Sequence, residues 1–349
     1  MSFEVSVFEG LKSIEHAPYE KFQKSVGASV FYSWELLNAV EQFPLLPTLK
    51  TFYIVVKHKD DIVGFLPLYL QKNVDTFKVL SQSTNYDFSA DTKALFSHIM
   101  HVSDSRILAA KGHENIVIEK ILSSLKAIRQ KEQIECCGVL NIDTHSLSYP
   151  LDIFSKHEYK INPMWNRFRT EIAPHSSLDE IIAKLPRHGR QEVNRQIRKY
   201  NATDSSAKWY NIRDADLEAV VDLIHQTTDK YGTGAYYPKG PMYNFLKSCD
   251  AIATVLEIKH GEQRVAAGIV FLDHDTLHFW ALGVDYSLTE YSPYTMLYVN
   301  LYQYALQHNY KIIEAGRTTQ AIKERLGFSP VPLQSIINFN SATENAKNV

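Results

Sequence analysis

The stretch that most narrows the choice of fold covers residues 261–328, GEQRVAAGIVFLDHDTLHFWALGVDYSLTEYSPYTMLYVNLYQYALQHNYKIIEAGRTTQAIKERLGF. Two apolar runs, 265–272 and 276–282, flank Asp273-His274-Asp275 and predict a β-hairpin with a polar turn. An irregular aromatic segment follows. A long amphipathic helix then follows, with Leu297, Leu301, Ala305 and their neighbours on one face, and Asn309-Tyr310 ends it. Residues 311–315 change period and read as a strand. Residues 319–326 read as a short helix closed by Gly327.

A chain of 349 residues predicts two domains rather than one, placed at 1–160 and 161–349. An apolar fraction of 45% supplies packed cores, and 22% charged residues is ordinary for a globular chain. The net charge of −2 argues against a wholesale nucleic-acid binder, and no DNA partner is expected, while a local basic patch stays open. Three cysteines make no disulfide framework, and with no leader-like apolar run at the start they point to the cytoplasm. No stretch approaches the roughly 20 apolar residues of a membrane span. No cluster of His, Cys and Asp has metal-ligand spacing, so no metal is expected.

In the first half, residues 30–39 predict a helix with Trp34, Leu37 and Val40 on one face. Residues 51–57 and 62–70 predict a strand pair across a polar turn. DDIVGFLPLYL at 60–70 echoes EQRVAAGIVFL at 262–272, which suggests a duplicated module. Residues 81–89 read as a polar, aromatic loop. Residues 116–130 read as a helix capped by Asn115, and 136–142 as a buried strand.

Residues 164–172 alternate as a strand, with Trp165, Arg167 and Arg169 on one face. A capping box from Ser177 to Glu180 opens a helix, which Pro186 breaks. A second, basic connecting helix covers 187–200. Its Arg187, Arg190, Arg195 and Arg198 fall within an arc of about 140°. Such a face suits phosphate oxygens, and equally suits a solvated connector.

Beyond these patterns, LGVDYSLTEYSPYTMLY (282–298) and EAGRTTQAIKERLGF (314–328) resemble the FemAB-like and CelD-like branch of the GNAT acyltransferases, whose members carry two GNAT modules. The resemblance implies an α/β (α+β) fold of two tandem GNAT-like modules, each a mixed twisted sheet flanked by helices. It also implies an acyl- or aminoacyl-transferase acting on an amine. Lys323 matches the family's lysine facing the reacting carbonyl, and Arg317 a basic position at the cleft mouth. His278 and Trp280 sit on the strand that splays in GNAT folds, as proton carrier and wall. Leu282 is expected on their face. Tyr231, Tyr236 and Tyr237 correspond to a lid, and Tyr86 and Asp87 to a cleft loop of the first module. Trp165, Arg167, Arg187, Arg190 and Tyr291 complete the donor- or substrate-binding candidates. Each also has a plain reading: core packing for Trp280, a satisfied histidine, solvated surface for Lys323 and Arg317, surface loops for the tyrosines.

One departure bears on the donor. CoA-dependent GNAT enzymes have a glycine-rich turn before the long helix, whose N–H groups cradle the pyrophosphate. This chain has YSLTEYSPY at 286–294, with Glu290 and no glycine. No tightly bound cofactor is therefore expected. Aminoacyl-tRNA, which the Fem enzymes use, or a carrier-protein thioester is the expected donor, and a small molecule or peptide amine the acceptor. An acyl-CoA enzyme with an altered loop and a non-catalytic binding protein are the alternatives.

Overall fold

A computed structural model of the protein describes residues 2–143, 151–287 and 290–340. The chain divides into two compact units: residues 1–165 with 332–349, and residues 166–331.

The first unit opens with β1 (Phe3–Phe8), α1 (His16–Ser25), α2 (Trp34–Gln42), β2 (Thr48–His58) and β3 (Asp61–Gln71). It continues through α3 (Val79–Thr84), β4 (Ala94–Ser97), β5 (Leu108–Ala109), α4 (Glu114–Lys131), β6 (Cys136–Ile142) and α5 (Leu151–Lys156). Strands run in the order β1-β2-β3-β4-β6, with β5 added to β3. All these pairs are antiparallel except β4 with β6. Aliphatic residues on one sheet face, among them Ile54, Leu66 and Leu68, bury Ile121, Leu122 and Leu125 of α4. Aromatic side chains fill the other face, where Tyr19 of α1 meets Phe65 at 4.6 Å.

β7 (Lys160–Glu171) carries the chain onward. The second unit then holds α6 (Leu178–Lys184), α7 (Arg187–Asn201), β8 (Ser205–Asn211), α8 (Leu217–Asp229), α9 (Lys239–Ser248), β9 (Ala253–His260) and β10 (Gln263–Leu272). After these come β11 (Thr276–Val284), α10 (Pro293–Gln307), β12 (Ile312–Glu314) and α11 (Gln320–Arg325). Its strand order is β8-β9-β10-β11-β12-β7, with β11 and β12 parallel and the other pairs antiparallel. Leu297, Leu301 and Ala305 of α10 are fully buried in its core, each large aliphatic contributing about 1.5–3 kcal/mol.

The two units repeat one plan. A four-strand antiparallel run (β1–β4, β8–β11) leads through a long helix (α4, α10) into a parallel strand (β6, β12). The last strand of each sheet breaks chain order. β7 pairs with β12, while β13 (Ser329–Phe339) returns to pair with β6. Residues 332–349 thus belong to the first unit, whereas a single cut at 160/161 assigns them to the second. The division follows the β6–β13 ladder, whose closeness shows at Gly138. A Cβ there would stand 2.1 Å from the Ile336 carbonyl oxygen.

Other expectations shift by a few residues for local reasons. Within 81–89, part is helical, because the Asp75 carboxylate accepts the Leu80 and Ser81 N–H groups at 2.9 and 2.8 Å and starts α3. Asn115 lies inside α4, whose cap position is His113. Residues 30–32 form a 3-10 turn, and Ser33 caps α2 through the Leu36 N–H. Ser177 caps α6 through the Glu180 N–H as expected, while the Glu180 carboxylate accepts from the Ser176 N–H and hydroxyl, so only half of the capping box forms as read. Among the described residues no helix is long and apolar enough to cross a membrane.

α7 lies against α11 through an unusual face. Gly189, Val193 and Gln196 are its buried residues, and a Cβ on Gly189 would stand 1.8 Å from the Arg325 carbonyl oxygen. Gly189→Ala is expected to push α11 away and to cost about 1–3 kcal/mol of unfolding free energy. Urea denaturation checks this, and an unchanged midpoint would show that the helices part freely.

Candidate active site

The second unit gathers its unusual chemistry around the turn between β12 and α11. Ala315 N–H donates to the Phe168 carbonyl at 2.8 Å, and Phe168 N–H donates to the Gly316 carbonyl at 3.0 Å. Past that clamp the backbone is left-handed at Gly316, Thr318 and Thr319, with φ of 63°, 51° and 52°. Glycine adopts this region freely. A β-branched threonine does not, and each costs on the order of 1–3 kcal/mol. The turn points the Arg317 carbonyl at the ε-amine of Lys323, which donates to it.

Lys323 is only 3% exposed, and its nitrogen lies 5.2 Å over the Phe168 ring. Burial, with the neighbouring Arg317 charge as a smaller cause, pulls its ammonium down to about 7. Both protonation states are therefore accessible near neutrality. The surface reading of this residue falls. The Arg317 guanidinium donates to the Tyr236 hydroxyl at 2.6 Å. Tyr236 is fully sequestered, and burial raises its phenol above the ordinary range, partly opposed by Arg317.

Tyr237 continues the chain of contacts. Its ring meets Trp280 edge-on at 5.1 Å, and its hydroxyl donates to the Trp280 carbonyl at 3.4 Å. Trp280 also packs on Phe245 and Phe271, at 5.7 and 5.5 Å. Lys323, Arg317, Tyr236, Tyr237 and Trp280 thus form one connected cluster. Of the three lid tyrosines, Tyr231 instead remains 65% exposed.

The expectation that His278, Trp280 and Leu282 share a face needs one correction. Opposite Ile269 and Val270 the β10–β11 register slips, and Trp280 is the extra residue of the bulge. Past it the alternation reverses. Leu282 packs with the α10-side core, while Gly283 lies against the backbone of α8. His278 keeps its side of the sheet. Its imidazole meets the Asp273 carboxylate of the hairpin turn at 3.4 Å, and it is the register partner of Glu314. Glu314 is buried with the guanidinium of Arg167 at 3.7 Å and that of Arg169 at 4.0 Å.

A cavity of about 330 Å³ opens at the N-terminus of α10, with Arg195, Lys199, Asp285, Tyr291, Ser292 and Tyr294 in its wall. Tyr294 joins it to the lysine site, since its hydroxyl bonds Thr319 at 2.9 Å. The Tyr291 hydroxyl donates to Ser205 at 3.0 Å. Of the arginine helix, the cavity takes Arg195 and Lys199. Arg190 donates to the Ala183 carbonyl at 2.9 Å, and Arg187 is exposed. Arg195 and Lys199 stand four residues apart, so helical spacing from the cavity side could have selected them. Leu288 and Thr289 of the 286–294 run lie outside the described residues.

Trp165, Tyr86 and Asp87 belong to the first unit. The Trp165 indole donates to Asn141 at 2.9 Å. Tyr86 packs on Phe88 and Phe339, at 4.8 and 5.1 Å, and Asp87 is exposed.

The segment that carries this cluster matches a known domain family, and the whole chain shares its fold with solved structures. Residues 187–324, within the second unit, match the acetyltransferase (GNAT) domain family. The whole chain shares its fold with the crystal structure of FemX (TM-score 0.66, 10% identity, covering 98% of this chain and 99% of that one). It is also similar to a tandem GNAT protein from the clavulanic acid biosynthesis pathway (TM-score 0.56, 11% identity, 96% and 97%). L-PGS from Bacillus licheniformis follows (TM-score 0.54, 8% identity, 93% and 92%). No curated protein sequence matches the chain.

The depressed lysine has a measurable consequence. Unfolded, Lys323 titrates near its ordinary 10.5, and folded near about 7. Between those values the unfolded chain holds one more proton, so stability rises with pH through that window and is flat below it. Lys323→Met removes this contribution. The stability difference between the two proteins is expected to change by about 2–4 kcal/mol from pH 7 to 10. Urea unfolding of both across the window measures it, and parallel curves would mean an unperturbed lysine.

Proposed function

We propose that this protein transfers an activated acyl or aminoacyl group from a macromolecular carrier, aminoacyl-tRNA or a carrier-protein thioester, to the amine of a small molecule or peptide. The observation that carries the reading is Lys323, a buried amine on α11 held against the strained turn before it, within the GNAT-matching segment. In the reaction the acceptor nitrogen attacks the acyl carbonyl, the carbonyl oxygen becomes negative, and the carrier's ester or thioester bond then breaks. The ammonium of Lys323 stabilises that oxygen. Trp280 and Tyr237 wall the cleft and exclude water, Arg317 holds the polar end of a substrate, and His278 passes on the proton of the amine.

The carrier reading rests on the α10 N-terminus, where a CoA diphosphate would need free N–H groups. Ser292 N–H already donates to Gln196 at 2.7 Å. Pro293 has none, and Thr295 N–H donates to the Ser292 hydroxyl at 3.3 Å. Asp285 stands in the same cavity, kept ionised below the usual carboxylate range by the Ser287 hydroxyl and N–H. Arg195 is paired with Glu192 at 2.8 Å. These residues do not fit the diphosphate of CoA. The favourable charge left at the cavity is Lys199, enough for a backbone phosphate of a larger partner.

The test offers the purified chain aminoacyl-tRNA, an acyl-carrier protein and acetyl-CoA in turn, with native mass spectrometry for binding. A carrier complex is expected, together with transfer to an amine that falls about 100-fold or more in Lys323→Met. Saturable binding of acetyl-CoA with no carrier complex would move the protein to the CoA-dependent alternative. Carrier binding without Lys323-dependent transfer would leave it a binding protein.

A further inference from the structure

The first unit holds a cavity that the transfer chemistry leaves unused. It has a volume of about 950 Å³ and lies where the end of α4 meets α5, the start of β7 and the end of β13. That volume is at the upper end of the range for small-molecule sites. Its wall is polar, and its charged side chains are Lys126, Arg129 and Lys160 against Glu158 alone. Glu158 is engaged at the rim, where the Lys126 ammonium donates to it.

Arg129 is the telling residue. It is 8% exposed, yet among the described residues its Nε has no hydrogen-bond acceptor. A buried guanidinium N–H without an acceptor is costly, and guanidinium is the side chain best shaped for a carboxylate or phosphate. Asn338, 3% exposed on the same wall, is left in the complementary state. Its Nδ2 donates to the Glu158 carbonyl at 2.9 Å, while its Oδ1 has no donor among the described residues. Both residues line the cavity, and each holds a buried polar atom without a partner among the described residues.

We infer that this cavity is a second ligand site, for a small anionic molecule that presents a phosphate or carboxylate to Arg129 and a hydroxyl or amino group to Asn338. Lys126 and Lys160 add long-range attraction for the anion. The site is built wholly from residues of the first unit and shares no side chain with the Lys323 cluster. It stands whether or not the transfer reading does.

Isothermal titration of the full chain with inorganic phosphate, ribose 5-phosphate and citrate tests it. Saturable one-to-one binding of at least one probe is expected, and the preferred probe tells phosphate from carboxylate. Arg129→Gln, shown folded by circular dichroism, should weaken that binding about tenfold or more. If Arg129→Gln does not fold, Lys126→Gln decides, since its side chain is a third exposed. A loss of about threefold is expected there. The inference is overturned if no probe binds saturably, if both variants bind as the wild type does, or if Arg317→Gln in the second unit abolishes the binding.

Discussion

A lysine amine held out of water against a backbone carbonyl sets the terms for the second unit. Nothing in the local sequence rewards burying Lys323. The ammonium loses hydration, sits near the Arg317 charge and titrates at about 7. The surrounding structure enforces the arrangement from several directions. Phe168 covers the amine, two left-handed threonines aim the carbonyl, and Gly189 lets α7 press on the helix that carries the lysine. That so many elements hold one unfavourable group is what supports the proposed catalytic role of Lys323.

The neighbouring cavity bears on the proposal that the donor is a larger carrier and not CoA. A helix N-terminus attracts anions because its first N–H groups lack partners. At α10 the Ser292 and Thr295 N–H groups have partners and Pro293 has none to offer, and the buried Gln196 of α7 supplies one of those partners. Fold alone would suggest the usual coenzyme. The hydrogen-bond inventory argues the other way.

The periodic parts of the chain were readable from sequence. α10 with its Leu297, Leu301 and Ala305 stripe, the β10–β11 hairpin and the Ser177 cap all follow from spacing and turn chemistry. What escaped reading was set by partners distant in the chain. The buried face of α7 is Gly189, Val193 and Gln196, so an apolar search sees too weak an anchor there. Trp280 falls at a bulge, and one inserted residue sends Leu282 to the opposite face. The family resemblance, more than spacing, pointed to Lys323, Arg317, Trp280 and the 236–237 tyrosine pair. It could not show that Arg187 and Arg190 stand aside while Arg195 and Lys199 line the cavity, because that depends on how α7 is rotated. β13 was missed since its prolines, Pro330 and Pro332, obscure the alternation of an edge that only β6 defines.

The exchange of closing strands has a consequence for how the protein is made. β6 has every residue buried, and one of its flanks is completed only by residues 334–339. A growing chain emerges from the ribosome in order. Residues 166–331 can therefore assemble their sheet while the opening unit still waits with an unpaired edge. The half of the molecule that is translated first is the half that finishes folding last.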